Sequence, residues 1–575
     1  MNRLGTLAAV SVLVLGACQA QVKNPDTLVN ASYGDWFSFD PAWAYDTVSG
    51  EVIENVYERL IGYDGEATDK FIPVLASEVP TVANGGISED GLTYRFKIRS
   101  GVKFHKGGDL SAADVVYSVR RLMVMDPVGG PVALLMEPLL GVSSSRDADS
   151  KLVITWDQIE GAVYEEDGTV VFKLAKPFTP FLSVLAHTSA SIVDMEWSVE
   201  QGEWDGAEAT WQDFNNPAQE DSALNAASNG TGPFSLEQYT PSRQVVLARN
   251  DNYWREPAAL KRVVLQNVTE YSTRRLMLQN GDSDLAGVDR QYIPEVQQIQ
   301  GVKIVDDLPT LQVNAIFLNQ KINPAANSYI GSGKLDGQGI PPDFFADPDV
   351  RKAFAYSFDY QTYIKDVDLG KAQQPSGVVP KPLLGYDTEI PHYTYDPEKA
   401  KEHFQVALGG QVWEKGFKLS LLYNEGNTAR KTALEMLERS LESLNPKFQV
   451  ETRGIQWASY LQQQNEMKLP AYMLGWVADY ADPHNFAHPF YFSQGNYPSQ
   501  TGYNNPEMDR LINEAVAELD PEARKGLYRQ IQELGYQDAP SILVNQPVGT
   551  AVMRDWVKGY YYNPMITNDY YSLSK

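Results

Sequence analysis

The chain has one cysteine, Cys18, in 575 residues. That excludes a disulfide framework and any cysteine-built metal site in its body. Histidine is also scarce: His105, His187, His392, His403, His484 and His488 are the only six. No HExxH stands among them. His484 and His488 have the spacing of two helical metal ligands, but the stretch reads as a loop and no third ligand is evident. There is no GxSxG elbow, and no thiol beyond Cys18 to act as a nucleophile. Gly331-Ser-Gly-Lys334 ends like a phosphate-binding loop, yet Ser328 replaces its first glycine and Leu335 its Ser or Thr. Positive charge is short as well: 48 Lys and Arg face 74 Asp and Glu, a net charge of -26. Such a surface repels phosphate backbones and argues against nucleic acid as a partner. Past residue 17 no apolar run is long enough to span a bilayer.

At 43% hydrophobic and 11% aromatic, the chain can build large cores. Its length corresponds to about four domain-sized units, or to fewer and larger lobes. Arg3 followed by the apolar run Leu4 to Ala17 reads as a cleaved export signal, being too short for a comfortable membrane span. Its end, Leu15-Gly-Ala-Cys18, resembles the lipobox of bacterial lipoproteins, which implies lipidation of Cys18 and a body tethered to the membrane, not embedded in it. Gln19 to Asp26 follows as a polar tether.

Beyond it, strand and helix signals alternate with no fixed-period repeat. Tyr94, Phe96 and Ile98 alternate with Arg95, Lys97 and Arg99, predicting a half-buried strand. Ser111-Ala-Ala-Asp114 opens a helix with a capping-box-like start. Asp347-Pro348, Asp396-Pro397 and Asp520-Pro521 start three more: each carboxylate can accept orphan amide protons, and each proline fits the first turn. Residues 147–168, 201–228 and 322–342 read as inserted loops. The pattern is α/β with several lobes. The one enzymatic candidate is the carboxylate pair Asp479 and Asp482 among aromatics, which could suit a hydrolase acting on glycosides, although acids beside a proline are common in turns.

Five segments, in order, resemble the large solute-binding proteins of ABC importers, the oligopeptide/dipeptide-binding family. They are Phe39 to Leu60; Asp90 to Arg99 with Gly101 to Ser118; Gly230 to Phe234 with Leu247 to Trp254; Val350 to Phe354; and Gly475 to Tyr480 with Asp482-Pro483. The resemblance implies a bilobal α/β periplasmic-binding-protein-like fold of the three-domain type. Domain I would comprise residues 24–63, 190–313 and 545–575, domain II 64–187, and domain III 314–544. The chain would cross between lobes near Val313 to Phe317 and Ile542 to Asn545, forming a hinge that ligand can close.

It also implies a non-enzymatic, cofactor-free monomer. Anchored by lipid at the periplasmic or other extracytoplasmic face, it would hand a short peptide to membrane permease subunits. Asp479 of Trp476-Val-Ala-Asp479 would pair with the peptide's α-ammonium, since such a cation cannot be enclosed without a counter-charge. Tyr480, Tyr45, Asp46, Thr47, Val288, Asp289 and Arg290 complete the implied ligand contacts. No arginine matches a grip on the peptide carboxylate. A sugar is the rival ligand, because 32 Tyr and 11 Trp could stack on pyranose rings; nickel lacks a convincing donor cluster.

Overall fold

The computed structural model describes residues 22–147, 149–518 and 520–575; Cys18 and the expected export signal lie outside the described residues. Twelve strands join in one sheet: β1 (Thr27–Ser32), β2 (Phe234–Thr240), β3 (Gln244–Arg249), β4 (Arg262–Asn267), β5 (Leu285–Ala286), β6 (Val302–Pro309), β7 (Gln312–Leu318), β8 (Ala372–Gln373), β9 (Phe417–Asn424), β10 (Phe448–Ile455), β11 (Ala471–Val477) and β12 (Ser541–Arg554). Their order is β10-β9-β11-β7-β12-β5-β1-β4-β3-β2, with β6 and β8 also pairing with β12.

The long strand β12 belongs to both lobes. Its first half pairs antiparallel with β7, from Ser541 opposite Phe317 to Asn545 opposite Asn314. Its second half pairs with β6, from Val548 opposite Pro309 to Arg554 opposite Val302. Partners therefore change at Asn545 to Val548 on one chain crossing and at Pro309 to Gln312 on the other. The first begins at the end of the expected crossing Ile542 to Asn545, and the second lies just before Val313 to Phe317.

In β7 the period-two geometry feeds two cores at once. Ile316 and Leu318 enter a cluster with Phe354, Phe404 and Phe417 on one face. Val313, Ala315 and Phe317 enter another with Tyr472, Phe490 and Tyr497 on the opposite face. Polar alternation stops after Gln312 and Asn314, because Ala315 to Leu318 are buried on both faces.

The first lobe has its own core around Leu28, Phe39, Val56, Phe96, Leu122 and Phe172. The strand Thr93–Lys97 buries Tyr94 and Phe96 and exposes Arg95 and Lys97, as its alternation predicts. Ser111 and Asp114 form the capping box of the helix Ala112–Met125. On that helix Arg121 is fully buried. It donates to both oxygens of Asp40 at 2.8 and 2.6 Å and to Glu203 at 2.6 Å. Burial alone would raise the Asp40 carboxyl, but Arg121 beside it holds it below the usual range. The three Asp-Pro helices begin as expected, with Asp347, Asp396 and Asp520 accepting from the amides of Asp349, Lys399 and Ala523.

Residues 147–168 are not an irregular loop. Thr155 and Gln158 cap a helix, Trp156–Ala162, and the strand Val163–Glu166 pairs with Thr169–Lys173. The acidic surface of this segment hid the apolar positions Trp156, Ile159 and Val163 that it buries. The other two expected insertions carry only single 3₁₀ turns, such as Trp211–Phe214 and Ser328–Ile330. Gly331 meets Gly339 in an isolated bridge.

Candidate functional site

The lobes meet across a cavity of about 480 Å³. Residues from the first lobe (Tyr45 to Thr47, His187 and the segment Tyr562 to Thr567) face residues from the second (Trp457, Trp476, Asp479, Tyr497 and Arg430). Asp46 is at the wall because it caps the helix Thr47–Val56, accepting the Val48 and Ser49 amides with Oδ1. Its second oxygen is buried without a hydrogen bond, and burial raises its pKa. Trp476 ends β11, with its ring set edge-on to Tyr45 at 5.8 Å and its indole N–H donating to Asn485 at 3.1 Å.

Asp479 follows directly. Its backbone amide donates to Asn485 Oδ1 at 2.7 Å, which fixes the loop. Its Oδ2 accepts from Tyr45 Oη and from Asn485 Nδ2, both at 2.9 Å. Its Oδ1 lies 3.4 Å from His187 Nε2. The Ser189 amide donates to His187 Nδ1 at 3.2 Å, which assigns the ring proton to Nε2, facing Asp479. One oxygen is therefore saturated by neutral donors from both lobes, while the other is turned to the cavity beside a histidine. With its side chain only 9% exposed, this carboxylate is a preformed acceptor for a cation.

Arg430 lies on the same wall. Its Nη1 donates to Asn424 at 2.7 Å, and among the described residues no carboxylate pairs with it. No sequence motif marks it: it comes from the first turn of the helix Thr428–Leu444 and reaches the cavity only through the packing of β9. His187 and Asn485 were missed for the same reason.

The remaining predicted positions divide. Tyr45, Asp46, Thr47, Trp476 and Asp479 share the cavity wall. Tyr480 is 3% exposed and points behind it, against Phe178. Val288, Asp289 and Arg290 are at the lobe junction and not on the wall. Val288 packs in a satellite cluster with Tyr271 and Ile304. Asp289 accepts from Tyr33 and Thr428, and Arg290 reaches Asp306 and the Val548 carbonyl of β12. Arg290 thereby ties the hinge strands β6 and β12 together.

Asp482 is also turned away. Arg524 grips it with two bonds of 2.8 Å, so it forms no acid–base pair with Asp479. His484 and His488 stand on a helix, His484–Tyr491, and not in a loop. Asp482-Pro483 starts it, with Asp482 accepting the His484 amide. Across the lobe boundary, Glu137 Oε2 meets His484 Nε2 at 3.0 Å and His488 Nε2 at 3.8 Å. Burial alone would raise Glu137, but the two histidines and Lys176 bring it down to about 2. Burial lowers His488 to about 4.

The family model of bacterial extracellular solute-binding proteins, family 5, matches residues 70–498. Heme-binding protein A of Haemophilus influenzae is 29% identical, over 99% of this chain and 98% of its own. The dipeptide-binding protein of Escherichia coli is 27% identical, over 98% and 96%. Among solved structures, the periplasmic binding protein DppA of Helicobacter pylori in complex with peptide STSA superposes with a TM-score of 0.76 at 25% identity, covering 95% of this chain and 98% of that one. With the bilobal fold and its cleft, these matches establish that the chain belongs to the bacterial extracellular solute-binding proteins of family 5.

Proposed function

We propose that this protein captures short peptides with a free amino terminus and delivers them, unchanged, to the permease of an ABC importer. One observation carries the reading: the Asp479 carboxylate stands on the cavity wall at the lobe interface, with neutral donors from both lobes on one oxygen and only His187 Nε2, at 3.4 Å, beside the other. A buried anion in that setting is costly unless a ligand brings the counter-charge. An α-ammonium, charged at neutral pH, supplies it. Arg430 on the same wall offers the complementary partner for a carboxylate, and guanidinium suits that geometry. Relatives named for dipeptide and peptide binding agree with this chemistry.

Other ligand classes fit less well. The cavity's histidine, His187, spends both ring nitrogens on Ser189 and Asp479, leaving none for a haem iron. Trp476 stands perpendicular to both Tyr45 and Tyr497, so these rings do not form the parallel stack that would sandwich a sugar. The Asp479–Asp482 pair that a hydrolase reading would need is not assembled, because Arg524 holds Asp482. In this reading Cys18 carries the lipid that holds the protein at the extracytoplasmic face, and the chain works as a monomer in three domains.

A thermal-shift panel tests the reading. Free-amine di- and tripeptides should raise the unfolding temperature, while their N-acetylated forms, oligosaccharides and haem should not. A shift by haem or oligosaccharide with none by any peptide would overturn it.

A further inference from the structure

The cleft continues past the site just described. A second cavity, of about 440 Å³, opens between the lobes beside the first. Tyr45, Trp476, Gly129, Asn465, Asn496 and Gln500 line both cavities and form the wall they share. Asp479 lines the first cavity beside these shared residues. Both donors to its Oδ2, Tyr45 and Asn485, line the second cavity. An ammonium at Asp479 is therefore within one side chain of it.

The two chambers differ in charge. In the first, Asp46, Asp479 and Arg430 have no opposite charge of their own among the described residues. In the second, charges are already neutralised or solvated. Arg146 lies 3.6 Å from Asp126, which also accepts from Ser144 and Ser145. Glu137 has His484 and Lys176. Asp147 is exposed and caps its own turn. What remains on the wall is neutral: hydroxyls and amides such as Ser499 and Gln494, and the apolar faces of Val132 and Pro489. The Ser493 hydroxyl is buried there without a partner.

We propose that the second chamber is the pocket for the side chain of the ligand's first residue, and that it selects a large, uncharged side chain. This rests on the peptide reading of Asp479. A charged terminus or side chain entering this chamber would lose its hydration and gain no counter-ion. The volume is in the range of whole small-molecule sites, so a bulky aromatic or polar group fits where a methyl group would leave most of the space to water.

Calorimetry on the full-length protein with Trp-Ala, Ala-Trp, Ala-Ala, Lys-Ala and tetra-alanine tests the proposal. Trp-Ala should bind roughly tenfold or more tighter than Ala-Ala and Ala-Trp, the gain expected from burying one large side chain. Lys-Ala should gain nothing over Ala-Ala. Ser499→Trp and, separately, Gln494→Trp put an indole at the chamber and should bring the Trp-Ala to Ala-Ala ratio towards one. Equal gains for Trp-Ala and Ala-Trp would overturn the proposal. So would a gain for tetra-alanine that the two variants abolish, since the chamber would then hold main chain. Asp479-dependent binding of Ala-Ala without any first-residue preference defeats this inference alone, whereas no binding by any peptide defeats the peptide reading with it.

Discussion

Replacing Asp479 by asparagine keeps the size of the side chain and removes its charge. The structure shows what the change leaves intact. Tyr45 and Asn485 both donate to Oδ2, and an asparagine carbonyl can accept both bonds. The fold should therefore lose only the 3.4 Å contact of His187 Nε2–H with Oδ1, about 1 kcal/mol on the scale of one hydrogen bond. The other position is where the damage falls: the amide N–H₂ takes the place of Oδ1 and turns donors toward an incoming ammonium. Breaking a buried ion pair from one side costs about 3–5 kcal/mol, which corresponds to a loss of roughly a hundredfold to several thousandfold in affinity. Calorimetry with a dipeptide and its N-acetylated twin, on wild type and Asp479→Asn, forms a double-mutant cycle. Acetylation should weaken wild type by the same range and add little further loss in the variant, because both changes delete one interaction. If acetylated and free peptides bind wild type equally, Asp479 is not the ammonium's partner.

Three further outcomes are expected. Arg121→Leu leaves Asp40 and Glu203 facing each other in the first lobe's core; denaturant unfolding should show a loss of about 3–5 kcal/mol, and a change under about 1 would contradict the paired-charge account. Acid should loosen the lobe junction. Burial holds His488 at about 4, below its ordinary value, so its contribution is complete above pH ~6.5 and is lost as pH falls toward 4, amounting to roughly 2 kcal/mol by pH 5. Glu137, held at about 2, extends the loss below pH ~4.5. Unfolding temperatures should be flat from pH 8 to 7 and fall below 6.5; His488→Gln should reduce the loss between 6.5 and 5, leaving the share of His105, which burial also lowers to about 4, and an unchanged profile would count against it. Finally, Cys18→Ser should release the protein from membrane fractions or leave it unprocessed with its fold intact; normal processing and retention on the membrane would argue against lipidation.

Local chemistry was the legible part of this fold. Capping residues, the alternation of Tyr94 and Phe96, and Asp-Pro helix starts are decided by neighbours in the chain, and each appears where predicted. The helix at His484 carries the same Asp-Pro signal in Asp482-Pro483, yet the metal-ligand spacing of its histidines drew attention away from it. Partners set by tertiary packing left no local trace. Tyr45 and Asp479 bond across 434 residues, and Arg430 reaches the cavity through the helix packed on β9. Trp476-Val-Ala-Asp479 and Tyr45-Asp46-Thr47 thus mark facing parts of the cavity wall, and folding alone brings His187 and Arg430 to them. Val288 to Arg290 illustrate the opposite case: their motif-like setting is answered by hinge strands, which use Arg290 to hold β12.

The central claim is that the cleft holds a peptide by its free amino terminus. Native mass spectrometry of the protein purified without refolding reads that ligand directly. Wild-type protein should carry adducts that tandem fragmentation identifies as short peptides with unblocked α-amines, and these should be lost from protein carrying Asp479→Asn. Adducts that prove to be sugars, haem or N-blocked peptides, or peptide adducts that survive in Asp479→Asn, would contradict it.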